Sequence, residues 1–314
     1  MCQCVLTQKI AGIPTLMPQP LVYVVILNWN LKDDTAECVA SVLRSDYSNY
    51  RVLVVDNGSS DGSEEYLRRA FPSSEFIANA VNLGFAAGNN IGIRYAVANG
   101  TDYVFLLNND TAVDAAMLGQ LVSYAESDPD AGMVAPKVLY YTERNRIWRL
   151  GERVQRWLPV PLSVGRDQLD IGQFPKPLEL DYVAFCGVLI RRSVLDKVGL
   201  LDERFFFGYE DADLCHRTRD AGYRIVCQPA ARMWHKVSRS AQKDAQNIGY
   251  QRSKGRAIFY RRYAHGPHPL LTAAYLWGST LLMAATSALR GDPGLARLMV
   301  RGLYDGYRER VPVS

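Results

Sequence analysis

No two of the six cysteines (Cys2, Cys4, Cys38, Cys186, Cys215 and Cys227) form a CxxC pair, and their spacing follows no framework. That argues against a disulfide scaffold and fits reduced thiols in a cytosolic compartment. Histidine is scarce, at four residues, and HExxH is absent, so zinc-hydrolase chemistry finds no support. There is no G-x-x-x-x-G-K-[ST], and no G-x-G-x-x-G after the first apolar run. A P-loop nucleotidase and a dinucleotide fold are therefore disfavoured. The net charge of +4 is small for 314 residues and suggests no nucleic-acid partner. Residues 1–20 lack a basic segment followed by a continuous apolar one, so no secretory signal is read there. This stretch reads as a flexible leader.

What is present is a globular composition, 48% hydrophobic and 22% charged. Apolar runs at Leu21–Leu27, Arg51–Val55, Glu75–Ala78 and Tyr103–Leu107 alternate with helical stretches at Asp33–Arg44, after Asp61, up to Ala98, and around Leu118–Ala125. Alternation of this kind predicts a doubly wound, mostly parallel α/β sheet. Asp61, with Glu64 three residues on, reads as the N-cap of the second helix. From Tyr140 to Leu178 the pattern weakens into a long connection. An extended stretch at Leu180–Arg191, a short helix at Ser193–Val198, a helix from about Asp211 to Gly222 and a strand at Tyr223–Cys227 follow.

Three of the strands end in polar loops: Asn28-Trp29-Asn30, Asp56-Asn57-Gly58-Ser59 and Asn108-Asn109-Asp110. If the strands are parallel, all three loops open on one sheet edge, where open α/β sheets bind ligands. Asp110 is placed to meet a cation or a phosphate ester, or else to form an ordinary turn. Glu210, Asp211 and Asp213 cluster after an aromatic run. Asp213 can pair with Arg217 on one helix face. Asp211 suits either a helix cap or a general base. His235 alone reads as a satisfied or surface histidine; with Asp110 it completes a mixed oxygen and nitrogen site for Mg²⁺ or Mn²⁺.

The order of five segments carries a resemblance. Val25–Asn30, Val54–Ser63, Asn82–Asn90, Leu106–Asp110 and Phe205–Leu214 together resemble the family 2 glycosyltransferases of GT-A fold, in their rhamnosyltransferase-like branch, over roughly Leu21 to Ser240. The resemblance implies an inverting transfer from a nucleoside-diphosphate sugar. By position, Asp56 would read the nucleobase, with Asn28, Asn30 and Asn57 beside it. Asn82, Gly84 and Asn90 would line the ribose-diphosphate side, and Asn108 and Asn109 would contact the donor. Asp110 would be the last residue of the family's metal-binding Asp-x-Asp, with Asn108 in place of its first Asp. Asp211 would be the general base, Glu210 beside it would help bind substrate, and His235 would help hold the metal-diphosphate. Where the branch often has His-x-x-Gly-x-Ser, this chain has Ser238 at the Gly and Ser240 at the Ser.

The tail differs in character. Arg252, Lys254, Arg256, Arg261 and Arg262 precede an uncharged run from Pro269 to Leu289, which Arg290 ends. A run of that length matches a bilayer span, but its Thr and Ser residues and basic flanks favour contact with an anionic membrane surface; a core helix is the alternative. Three regions are expected: the leader at 1–20, a GT-A catalytic domain at 21–240, and a basic and apolar helical appendage at 241–314, membrane-associated. The expected activity is transfer of a sugar, with rhamnose from dTDP-rhamnose favoured, to a hydroxyl of a polyprenyl-linked or polysaccharide acceptor. The expected place is the cytoplasm, at the inner face of the cell membrane. A nucleotidyltransferase and an inactive carbohydrate- or membrane-binding scaffold are the alternatives. The nucleotidyltransferase needs a basic Gly-rich loop after the first strand, which is missing.

Overall fold

The computed structural model describes residues 19–154, 161–237, 244–263 and 269–309. Most of the leader, together with Ser238 and Ser240, lies outside them. In chain order the elements are β1 (Val22–Asn28), α1 (Lys32–Val42), β2 (Tyr50–Asp56), α2 (Ser63–Ala70), β3 (Glu75–Ala78), α3 (Gly84–Ala98), β4 (Tyr103–Asn108), β5 (Thr111–Val113) and α4 (Met117–Ser127). Then come β6 (Ala131–Tyr140), β7 (Ile147–Arg149), β8 (Gly151–Val154), β9 (Pro161–Val164), β10 (Leu178–Leu180), β11 (Gly187–Arg191) and α5 (Arg192–Val198). The chain continues through α6 (Glu210–Asp220), β12 (Arg224–His235), α7 (Ala245–Tyr263), α8 (Pro269–Leu289) and α9 (Pro293–Arg308).

The main sheet runs β10-β12-β6-β11-β4-β1-β2-β3. β3, β2, β1 and β4 are mutually parallel. Antiparallel β11 inserts between β4 and β6, and β12 runs parallel to β6. Side chains alternate across the sheet, and both faces are covered. Val22, Val24 and Ile26 pack with Val39, Leu67 and Leu121 from α1, α2 and α4. Tyr23 and Val25 pack on the opposite face with Ile93, Val194 and Leu214 from α3, α5 and α6. Burial on both faces is why these strands read as unbroken apolar runs.

Four local expectations are corrected. The residue at the N-cap of α2 is Gly62, at φ 76°, and not Asp61; the Asp61 carboxylate instead accepts from the Ser63 amide at 3.1 Å. The stretch at 180–191 is not one strand. β10 lies at the sheet edge while β11 lies inside it, so the chain crosses over between them. Arg224 begins a strand that runs on to His235, well past Cys227. β6, ten residues long, has no counterpart in the sequence reading. Pro136 and Lys137 interrupt its apolar pattern, and the β6–β12 register shifts beside Pro136, where a strand tolerates proline.

Helix α3 lies tight on β1. A Cβ at Gly92 would fall 2.4 Å from Val25 Cγ1, and β-branched valine has little freedom to move aside. Gly92→Ala is therefore expected to lower unfolding free energy by about 1–3 kcal/mol. Urea denaturation checks this as a lower midpoint at unchanged slope.

Candidate active site

The three polar loops do open on one edge. β1, β2 and β4 are in parallel register, with Asn28 level with Asp56 and Leu27 level with Asn108. Asn28 is fully buried. Its amide donates to Asp56 Oδ2 at 2.6 Å and to Ser59 Oγ at 3.1 Å. Its carbonyl accepts from Thr35 Oγ1 at 2.6 Å and Asn109 Nδ2 at 3.2 Å. Asn30 takes a left-handed φ of 54°, and its side-chain oxygen accepts from the Ser60 amide at 2.7 Å. The Asp56 carboxylate is held by Asn28 and by the Ser59 amide at 2.9 Å.

A second knot forms around Asn57. Its amide donates to Asn82 Oδ1 at 2.9 Å and to the Gly84 carbonyl at 3.1 Å, while its oxygen accepts from Asn79 and from the Leu83 amide. Gly84 sits at φ 86°, and a Cβ there would lie 2.6 Å from the Phe206 ring. The Phe85 amide donates to the Phe206 carbonyl at 2.7 Å, so the start of α3 is fastened to the aromatic loop before α6. Asn90 lies deeper. Its amide group bridges to Leu201 and Glu203, clamping α3 to the segment that leads into that loop.

Asp110 meets His235 across the sheet. The carboxylate and the imidazole Nε2 are 3.0 Å apart, and both residues are buried. β12 brings the histidine there: it pairs with β5 so that His235 stands opposite Thr111, and the Lys236 amide donates to the Asp110 carbonyl at 2.9 Å. Lys236 then anchors on Asp34 and Glu37 of α1, at 2.5 and 2.6 Å. The Trp148 ring packs edge-on against the imidazole at 4.7 Å, and His235 Nδ1 has no hydrogen-bond partner among the described residues.

A divalent ion would find here one carboxylate and one imidazole, a donor set acceptable to Mg²⁺ or Mn²⁺. The described residues contain no group of three or more His, Cys, Asp or Glu arranged for a metal. Among the described residues the pair would thus supply two ligands, and the remaining ones would have to come from elsewhere.

Glu210 and Asp211 open α6. Glu210 is buried, and its Oε2 has no hydrogen-bond partner among the described residues. Burial first, and the neighbouring Asp211 charge second, push its carboxyl well above the usual range. Asp211 is half-buried and accepts from the Ala212 amide at 2.8 Å. Burial also raises its carboxyl, opposed by that amide and by the Arg149 charge, and reinforced by Glu152. Asp213, by contrast, is fully committed to structure, bonded to Arg217, Arg262 and Tyr263. Burial first, and the charges of Asp110 and Asp211 after it, push up the buried thiol of Cys186.

Trp148, Arg149, Glu152 and Cys186 escape the sequence reading. The first three fall in the segment read as a loose connection, on strands of three and four residues too short to show a period. The aromatic-basic pair Trp148-Arg149 is the signal that was there to find.

The raised Glu210 carboxyl has a pH consequence. Below its ordinary value of 4.5 the group is protonated in both folded and unfolded chains. Above it the unfolded chain ionises while the folded one holds the proton, so folding stability falls as pH rises. Glu210→Gln is expected to raise the thermal midpoint near pH 8, with the gain vanishing near pH 4, as read by calorimetry across pH.

The family model described as "Glycosyl transferase family 2" matches residues 23–199. A dTDP-rhamnosyl transferase of Shigella flexneri is 22% identical over 71% of this chain and 71% of its own. An N-acetylglucosaminyl-diphospho-decaprenol L-rhamnosyltransferase of Mycobacterium tuberculosis is 26% identical over 62% of this chain and 68% of its own. Among solved structures, a mannosyltransferase from Pyrobaculum calidifontis in complex with GDP-Man and Mn²⁺ superposes with a TM-score of 0.57 at 16% identity, covering 96% of this chain and 91% of the other. GalNAc-T7 with UDP, GalNAc and Mn²⁺ superposes with a TM-score of 0.58 at 16% identity, over 77% of this chain and half of its own length. The fold is that of the GT-A glycosyltransferases, and the chain belongs to glycosyl transferase family 2.

Proposed function

We propose that the chain is an inverting, divalent-cation-dependent glycosyltransferase that moves rhamnose from dTDP-rhamnose to a hydroxyl of a lipid-linked acceptor at the cytoplasmic face of the membrane. One observation supports the reaction type. Asp211, a half-buried carboxylate with a raised proton affinity, opens α6, and its charge acts together with that of the His235-bound Asp110 on the buried Cys186 thiol. Displacement at a glycosyl carbon needs one base on the acceptor side and charge compensation on the diphosphate side. Hydrolysis would instead call for two carboxylates flanking the bond as acid and base or nucleophile. The two rhamnosyltransferase relatives, one acting on a decaprenol-linked sugar by its name, support the choice of donor and acceptor class.

The chain's own residues divide the work. Asp56, tied by Asn28 and Ser59, is held with its carboxylate fixed for the nucleobase, while the Asn57–Asn82–Gly84 knot shapes the wall for ribose and diphosphate. Asn109 braces Asn28 and Thr35, and Asn108 ends β4 beside it, so the loop presents Asp110 with its backbone already fixed. Asp110 and His235 would hold Mg²⁺ or Mn²⁺, which supplies Lewis-acid compensation of the charge on the departing diphosphate. Asp211 takes the proton from the acceptor hydroxyl. Glu210, protonated beside it, keeps a second negative charge away from the base.

Calorimetric titration with dTDP-, UDP- and GDP-sugars, with and without Mn²⁺ or Mg²⁺, tests the reading. A dTDP-sugar should bind, and chelation should weaken that binding. Failure of every donor to bind with metal present would assign the chain to an inactive scaffold. Asp211→Asn should keep donor binding and lose about 10²–10⁴-fold in transfer rate. In the unaltered chain the transfer rate should fall on acidification at a pH above that of an ordinary aspartate, because the base must be ionised and its carboxyl is raised.

A further inference from the structure

Helix α8 leaves most of its leucines exposed. Leu276, Thr280 and Ala284 form its buried stripe, with Thr280 1% exposed. Behind that stripe lies the buried guanidinium of Arg256 from α7, which donates to Ser279 Oγ at 2.7 Å and Thr280 Oγ1 at 3.4 Å and covers the Tyr275 ring. Two of the hydroxyl groups in the apolar run, those of Ser279 and Thr280, thus face the protein. The leucines other than Leu276 face outward: Leu270 is 83% exposed, Leu282 66% and Leu289 88%, with Leu271, Leu281 and Met283 also exposed. Scattered exposed leucines need no explanation, but a whole helix face of them does.

Helix α9 lies alongside and supplies the complementary charge. Arg297, Arg301, Tyr304 and Arg308 are exposed at intervals of four, three and four residues, a single stripe along the helix. Arg301 reaches Asp305 at 3.6 Å yet is 73% exposed. Between the helices runs an apolar groove of about 710 Å³, walled by Trp277, Leu281 and Ala285 on one side and by Val300, Tyr304 and the Arg297 and Arg301 stems on the other.

We propose that the outer face of α8 and the basic stripe of α9 form one docking surface for an anionic lipid bilayer, with α8 lying in the plane of the interface. Apolar side chains enter the acyl region, arginines meet lipid phosphates, and the groove takes acyl chains. α8 spans 21 residues, a length that would cross a bilayer. Crossing, however, would draw Arg256 of α7 and the arginines of α9 into hydrocarbon, since both helices are packed on α8. Lying flat keeps Arg256 inside the protein and leaves the exposed arginines of α9 in the headgroup layer. The inference deepens the lipid-linked-acceptor reading, because a polyprenyl diphosphate enters from such a surface.

The test is cosedimentation of the full chain with phosphatidylcholine vesicles, with and without phosphatidylglycerol. Transfer to a soluble, short-chain acceptor is measured in parallel. Binding should be about tenfold or more stronger on the anionic vesicles, and Leu282→Glu and the double change R297E/R301E should each remove most of that gain. Both substitutions fall on exposed positions, and an unchanged thermal midpoint shows that each variant folds. No binding to anionic vesicles, or binding indifferent to both variants, overturns the proposal. So does a dimer in solution that Leu282→Glu dissociates while vesicle binding persists, which would assign the face to a second copy. Soluble-acceptor transfer that survives when vesicle binding is lost leaves the catalytic reading standing; vesicle binding without any transfer overturns the catalytic reading alone.

Discussion

The contact between Asp110 and His235 holds the acidic edge together. The two residues are 125 positions apart in sequence and 3.0 Å apart in space. Their meeting depends on three arrangements: β5 turning back to pair with β12, β12 running its full length beside β6, and Lys236 anchored on α1. A buried carboxylate is costly without a donor nearby, and the imidazole of His235 is one partner that offsets that cost for Asp110.

Much of the sheet was legible in the sequence, for a physical reason. β1, β2 and β4 are buried on both faces and read as plain apolar runs, and the polar residues after them stand out by contrast. β6 was not legible, because a proline and a lysine break its run; Lys137 becomes tolerable through its ion pair with Asp170 at 2.8 Å, a partner 33 residues away. Partners at that separation leave no local trace. The same holds for Trp148 and Arg149, whose place beside His235 and Asp211 is created by a three-stranded detour with no period of its own.

At the site, residue types were more legible than their commitments. Asp211 and Glu210 share a helix start, yet one is half-exposed and the other buried, a difference that a sequence of adjacent acids does not express. Asn90 and Asn109 stand among the polar loop residues, and the structure ties both into buried hydrogen-bond networks that hold neighbouring loops in place. Ser279 and Thr280 of α8 are the sharpest case. In sequence they weaken an apolar run; folded, they bond Arg256 on the inner side of a helix whose outer side carries exposed leucines.

The close approach of Gly84 to Phe206 sets a limit on how this enzyme can diverge. The start of α3 and the aromatic loop that leads into α6 touch through a glycine with no room for a methyl group. A side chain at 84 displaces the segment that leads to Glu210 and Asp211, and a shifted turn at 206 displaces the start of α3. The two segments are thus inherited as a unit: a lineage that reshapes one must re-fit the other in the same step.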